Sequence, residues 1–88
     1  MLVRLYSVFD RVSCVFDHPL VCSNDAAAAR AFNITQSTPD TLLYASPADF
    51  QLWYLGSMDN RSGDISTDGD FEPYKVCDGK PREVSEHE

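Results

Sequence analysis

The sequence predicts an α+β fold, a small antiparallel sheet of four to five strands with one helix packed on one face. Segments rich in β-branched and aromatic residues recur along the chain, and a capped, alanine-rich stretch lies between them. The length of 88 residues allows one core. We predict a single domain over residues 1–77 and a charged, disordered C-terminal tail over residues 78–88, which hold few apolar side chains.

The first part of the chain predicts a hairpin. Apolar side chains fall on both faces of residues 2–9, which is typical of a strand covered on both sides. A turn at residues 10–11 and a second strand at residues 12–16 follow. Residues 20–22 form a short extended piece, and Cys14 is expected to be a buried small hydrophobe.

A helix is predicted over residues 24–36. Ser23 or Asn24 caps it, Asp25 complements the helix dipole in the first turn, and four alanines favour the helical backbone. An apolar stripe that includes Phe32 faces the sheet. The stripe is expected to pack against four strand residues, Leu5, Val8, Val15 and Leu55.

The second part of the chain supplies the rest of the sheet. Residues 37–49 are polar with two prolines, so we predict a loop with an apolar anchor at residues 42–44. We then predict a strand at residues 51–58, a short return strand at residues 65–66 and an edge strand at residues 71–77.

The charge is strongly acidic, with a net value of −7. Such a chain repels nucleic acid at long range and favours basic protein partners. Much of the excess lies in residues 59–72, where the spacing of the acidic residues resembles a metal-binding loop but lacks the frame of an EF-hand. We favour solvated turns there, with a glycine of positive φ at position 63, and predict no metal and no cofactor. The aspartates concerned are Asp59, Asp64, Asp68 and Asp70.

Catalytic motifs are missing from the sequence. The three cysteines, Cys14, Cys22 and Cys77, contain no C-x-x-C pair, which indicates reduced thiols in a cytoplasm. The sequence has no phosphate-binding loop, nucleophile elbow or H-E-x-x-H motif, so we predict that the protein is not an enzyme. It also has no apolar run of membrane-spanning length.

Nucleic-acid binding requires cations and aromatic rings on one face. Arg4 and Tyr6 share a face of their strand by period-two geometry. Structural aromatics are the favoured alternative, because few arginines are dispersed in an acidic chain. The candidate residues are Arg4, Tyr6, Arg30, Trp53, Tyr54 and Arg61.

Four segments carry a resemblance to a viral family. They are LYSVFDR at residues 5–11, NDAAAARAF at residues 24–32, YLGSMDNRSGDI at residues 54–65, and the spacing of Pro73, Val76 and Gly79. In order and spacing they resemble the small nonstructural protein of gokushovirus-type microviruses, single-stranded DNA phages of the Microviridae.

The resemblance implies a nonstructural accessory protein in the host bacterial cytoplasm. Such proteins are assigned to the switch from duplex replication to single-stranded DNA synthesis and packaging. The implied partners are viral replication or assembly proteins and, weakly, single-stranded DNA. The alternative is a protein-interaction module that acts on a host factor or as an assembly chaperone, without DNA binding. A clustered arginine face beside Trp53 favours the first hypothesis, and an exposed apolar edge beside the acidic turns favours the second.

We also predict a homo-oligomer, most simply a dimer. The sheet of a chain this small has edge strands with unpaired backbone N–H and C=O groups, which a second copy can pair with. Residues 71–77 are the candidate edge strand.

Overall fold

One antiparallel sheet carries helices on one side in the computed structural model, which describes residues 1–66 and 73–80. In chain order the elements are β1 (Leu2–Asp10), β2 (Val15–Phe16), β3 (Leu20–Cys22), α1 (Asp25–Gln36), α2 (Leu42–Ala45), a 3-10 turn (Pro47–Asp49), β4 (Phe50–Asp59), β5 (Ile65–Ser66) and β6 (Tyr74–Asp78). The predicted fold class is confirmed.

A long central pair of strands organises the sheet. β1 and β4 run antiparallel from the Leu2–Asp59 pair to the Asp10–Phe50 pair. β2 and β3 lie one after the other along the outer side of β1, and β5 and β6 do the same along β4. The described strands therefore occupy four positions across the sheet, and each edge is built of short pieces.

The central pair contains a bulge. Leu5 pairs with Gly56 and Tyr6 with Tyr54, so Leu55 is the extra residue of β4. A bulge shifts the alternation of side chains by one residue. Ser57 and Tyr54 consequently lie on one face of the sheet, the same face as their direct partners Arg4 and Tyr6.

Helix α1 covers one face of this sheet. Asn24, one of the two predicted caps, begins the helix by accepting a 2.8 Å hydrogen bond from the Ala27 N–H. Ala28 and Phe32 are buried, as the predicted stripe requires. The buried apolar cluster consists of Tyr6, Ala28, Phe32, Leu43, Leu52 and Tyr54.

The predicted partners of the helix stripe are wrong for three of four residues. Val8 packs against the buried cluster, as predicted. Val15 is 57% exposed because it pairs with Asp10 at the far end of β1. Leu5 alternates with the core residue Tyr6 and therefore faces away from α1, and Leu55 is the bulge residue outside the cluster.

Two local predictions also change. Cys14 is exposed, because it occupies the turn between β1 and β2 with a φ of 61°. The segment predicted as a loop forms α2, capped by the Thr41 hydroxyl, and the 3-10 turn. The predicted apolar anchor is present within it, because Leu43 is buried.

Regular structure continues past residue 77, the predicted end of the domain. β6 runs through Asp78, and the buried Gly79 donates its N–H to the carbonyl oxygen of Phe50 at 2.8 Å. The predicted turn at residues 68–70, the first residues of the predicted strand 71–77 and most of the predicted tail lie outside the described residues.

We expect Gly79→Ala to lower the free energy of unfolding by about 1–3 kcal/mol, the range of an overpacked site. An added Cβ lies 1.9 Å from the Pro47 carbonyl oxygen, so backbone must shift. Urea unfolding of the variant beside Lys80→Ala, its exposed neighbour, measures the effect. Equal stability of the two variants would contradict this close approach.

Candidate functional site

The sheet has a second face that no described element covers. Directly paired residues of neighbouring strands share a face. The pairs Phe9–Phe16 and Leu5–Val21 therefore point away from α1, because they alternate with core positions of β1. We call this surface the open face, and its apolar residues are Val3, Leu5, Phe9, Phe16, Val21, Trp53, Met58 and Ile65.

Several of these side chains remain accessible to solvent. Phe16 is 45% exposed, Val21 is 53% exposed and Ile65 is 68% exposed. Isolated apolar residues are common on protein surfaces, but a continuous apolar patch indicates an interaction site. The open face therefore stands out as the first candidate for binding.

Three aromatic rings form a cluster at one end of the open face. The Phe9 and Phe16 ring centroids lie 4.8 Å apart, and the Trp53 centroid lies 6.3 Å from Phe9 and 6.1 Å from Phe16. These are favourable distances for aromatic packing. The cluster presents one rigid apolar surface rather than three independent side chains.

A chain of polar contacts borders this cluster on the β6 side. Trp53 Nε1 donates to Gln51 Oε1 at 3.0 Å, and Gln51 Nε2 donates to Asp78 Oδ1 at 3.1 Å. Lys75, which pairs with Trp53 across the strands, donates to Asp78 Oδ2 at 3.1 Å. The bond from Lys75 lowers the pKa of Asp78. The ammonium group of Lys75 is thus already paired.

A second polar cluster, the tyrosine–aspartate network, lies on the helix side. Tyr6 and Tyr74 both donate their hydroxyls to the Asp25 carboxylate, the latter at 2.7 Å. Arg4 donates to Tyr6 at 2.8 Å, to Tyr74 at 2.8 Å and to Asp25 at 3.1 Å. Its guanidinium carbon lies 4.2 Å from the Tyr54 ring centroid. The network ties β1, α1 and β6 together.

Burial and these hydrogen bonds shift the pKa values of Tyr6 and Asp25 in the network. Burial raises the pKa of Tyr6 to about 12, and the hydrogen bond to Asp25 acts in the same direction. Burial alone would raise the pKa of Asp25, but hydrogen bonds from Tyr6, Tyr74 and Arg4 outweigh it and lower that pKa. Asp25 is therefore held as a carboxylate, which suits a structural hydrogen-bond acceptor.

A comparison with known families assigns the chain. A family model described as Phage ORF5 protein matches residues 3–81. This chain belongs to the Phage ORF5 protein family. The match spans nearly all of the described residues, and it confirms the phage origin that the sequence resemblance implied. No curated protein and no solved structure matches this ORF5-family chain.

Tyr6 and Tyr54 of the ORF5-family chain are not available for base stacking. The sequence grouped them with nucleic-acid-binding candidates, but Tyr6 is fully buried and Tyr54 is 6% exposed. Both rings face α1 in the core, so this part of the predicted surface is wrong. Arg4 shares a strand face with Tyr6, as predicted, and is held by the network.

The other three candidates of the ORF5-family chain lie apart. Trp53 is half-buried on the open face, opposite to the face that carries Arg4. Arg30 is exposed on α1, and Arg61 is exposed in the turn between β4 and β5. A cluster of Arg4, Arg30 and Arg61 beside Trp53, which would favour the DNA-binding hypothesis, does not form, since Arg4 and Trp53 face opposite ways.

Sequence reasoning missed Phe9 and Phe16 as site residues. The predicted hairpin, with its turn at residues 10–11, sets Phe9 opposite Val12. The observed turn covers residues 11–14 and β2 begins only at Val15, so Phe9 lies opposite Phe16 instead. Their partner Trp53 comes from β4 and needed the long-range register of the sheet.

Metal-ligating and nucleophilic residues of the ORF5-family chain do not converge within the described residues. No group of three or more His, Cys, Asp or Glu side chains there is placed to hold a metal. Asp59 instead accepts the N–H of Arg61 at 2.8 Å and shapes the turn that contains Gly63, whose φ is +82° as predicted. Asp68 and Asp70 lie outside the described residues.

Two of the three cysteines, Cys22 and Cys77, are partly buried. Burial raises the pKa of Cys22 and of Cys77, which favours the neutral thiols.

None of the helices in the described ranges has the length and hydropathy needed to cross a bilayer.

Proposed function

We propose that this ORF5-family chain is a non-enzymatic accessory protein of the infected bacterial cytoplasm that acts through protein contacts at the open face. Its proposed role is in the switch from duplex replication to single-stranded DNA synthesis and packaging. That role rests on the resemblance to nonstructural proteins of gokushovirus-type microviruses. The exposed apolar surface of the open face is the observation that carries the mode of action.

The distribution of cations favours a protein over DNA as the partner. Binding to DNA requires Lys or Arg side chains that neutralise phosphates. Two cations lie near the aromatic cluster in the described part of the chain: Lys75, which pairs with Asp78, and Arg11, which also acts on Asp78 and donates to the Ala48 carbonyl oxygen at 3.2 Å. Arg4 is engaged by Asp25 on the opposite side of the sheet. Apolar side chains, not charged ones, are therefore the main groups available for binding on this surface.

Direct binding of single-stranded DNA is the second candidate function. The aromatic cluster of Phe9, Phe16 and Trp53 supports it, because bases stack on exposed rings with about 1–3 kcal/mol per base. With few cations near the cluster, such binding would be weak and strongly salt-sensitive.

Fluorescence of Trp53, the single tryptophan of the chain, separates the two candidates. We expect no change in emission when single-stranded oligonucleotide is added at about 0.15 M salt, up to roughly 100 μM DNA, the weak limit of non-specific binding. Quenching that disappears at high salt and in a Phe16→Ser variant would replace the protein-contact proposal with the DNA-binding one.

Infection tests the proposed role directly. A phage that carries Val21→Glu should accumulate duplex DNA and make less single-stranded progeny DNA, because a charge then replaces an exposed apolar side chain of the open face. Val12→Glu is the matched control, since Val12 is 74% exposed in the turn between β1 and β2. Unchanged ratios of duplex to single-stranded DNA for Val21→Glu would contradict the proposal.

A further inference from the structure

We propose that a second copy of this chain covers the open face, with the two sheets packed face to face. The inference rests on the proposed function, because it names the protein that the open face contacts. Three properties of the described residues support it, namely the area of the face, its charge and the form of the sheet edges.

The area of the open face suits a small dimer interface. β1 has nine residues and the sheet has four strand positions. These dimensions give a face of about 30 Å by about 19 Å at the usual strand rise and spacing. Two such faces together bury roughly 1,100 Å², which reaches the value of about 1,000 Å² expected of a specific interface. An 88-residue chain also gains stability from added apolar burial, because a small domain buries a smaller fraction of its surface on folding than a large one does.

The charge of the open face permits two copies to meet. The whole chain carries a net charge of −7, so most surfaces of two copies repel each other. On the described open face, Lys75 and Asp78 lie at the edge and neutralise each other at 3.1 Å. Arg11 also acts on Asp78, so the carboxylate at this edge faces two cations. A mainly apolar face of this kind is complementary to itself, whereas a basic partner would find the Asp78 carboxylate already paired.

The edges of the sheet are poorly suited to the alternative, a dimer that pairs strand with strand. Along β1 the edge consists of β2 with two residues and β3 with three, so it offers no long uninterrupted row of backbone groups. Along β4, the described part of the edge includes β6 with five residues, and the β4–β6 register shifts within it. Pro73 precedes β6 and removes one further donor. Packing through the face therefore replaces the edge at residues 71–77 as the route to a dimer.

The residues outside the described ranges offer a different occupant, the chain's own C-terminal segment. Residues 81–88 contain one aliphatic side chain, Val84, among charged and polar groups. That composition does not match an apolar surface of eight side chains. A second copy supplies a matching apolar surface, and a chain truncated after Lys80 distinguishes the two occupants.

Measurement of solution mass tests the inference. We expect the full-length chain to move from 9.9 kDa toward twice that mass as its concentration rises from about 1 μM to about 100 μM, the regime of a small interface. Val21→Glu should weaken the dimer at least about tenfold, because two buried like charges repel. Val12→Glu should leave the dimer unchanged. Circular dichroism checks that both variants keep their fold.

A mixture of two variants provides the sharper test. Val21→Glu and Val21→Lys should each be monomeric alone and should form a heterodimer when mixed, because opposite charges then share the interface. Recovery requires that two copies meet through this face. Monomeric wild type at 100 μM, or dimers unaffected by Val21→Glu, would overturn the inference.

The outcomes also separate this inference from the proposed function. A truncated chain that dimerises while the full-length chain stays monomeric would assign the open face to the C-terminal segment and overturn the inference. A monomeric wild type whose Val21→Glu phage still lacks single-stranded progeny DNA would overturn self-association alone and leave the open face to another protein.

Discussion

Replacement of Phe32 by alanine is expected to lower the free energy of unfolding by about 3–5 kcal/mol. The ring is 3% exposed and belongs to the buried cluster that joins α1 to the sheet. A cleft of about 70 Å³ already adjoins it, between Ala28, Leu43 and Leu52 among others, so truncation enlarges an existing space. Urea or thermal unfolding measures the loss.

Ile34→Ala is the matched control for Phe32→Ala. Ile34 lies on the same helix but is 61% exposed, so its truncation should cost less than about 0.5 kcal/mol. A loss under about 1 kcal/mol for Phe32→Ala would contradict the packing of α1.

Asp25→Ala is expected to cost about 2–3 kcal/mol, because hydrogen bonds to a charged acceptor are stronger than neutral ones and three donors lose their partner. Those donors are Arg4, Tyr6 and Tyr74. Asp64→Ala removes an exposed carboxylate from the turn after β4 and serves as the control. Equal unfolding free energies for the two variants would show that the network adds nothing to stability.

The same network predicts how stability depends on pH. The pKa of Asp25 is lowered in the folded state, so its contribution is full above the unfolded value of about 3.9 and is lost as the pH falls further. The pKa of Tyr6 is raised to about 12, so its contribution is full below about pH 10 and is lost as the pH rises through 12. Unfolding free energies measured across the pH range should therefore fall on both sides. Asp25→Asn should reduce the acidic component, to which Asp78 also contributes because its pKa is lowered as well.

Local sequence signals predicted the main helix and the two long strands, but not α2 or the 3-10 turn. The Asn24 cap and the alanines specify α1, and runs of β-branched and aromatic residues specify β1 and β4. The missing information concerned which face of each strand is buried. Alternation indicates that Arg4 and Tyr6 share a face, but not that α1 covers it.

The candidate site depended on that missing information. The register between β1 and β4, including the bulge at Leu55, decides that Trp53 joins the open face while Tyr54 enters the core. No pattern within either strand encodes this register, because a shift by one residue exchanges the two faces. The aromatic cluster was consequently visible in the sequence only as separate residues.

The central position of β1 has a consequence for synthesis on the ribosome. Its partner in the sheet is β4, and the paired residues are separated by 40 positions between Asp10 and Phe50 and by 57 positions between Leu2 and Asp59. Contacts between such distant residues close slowly, since the loop entropy must be overcome before the pairing stabilises the chain. The nascent chain therefore emerges with the β1 hairpin and α1 unable to complete a core until β4 has left the exit tunnel. Folding of this protein should begin as a single late step rather than element by element.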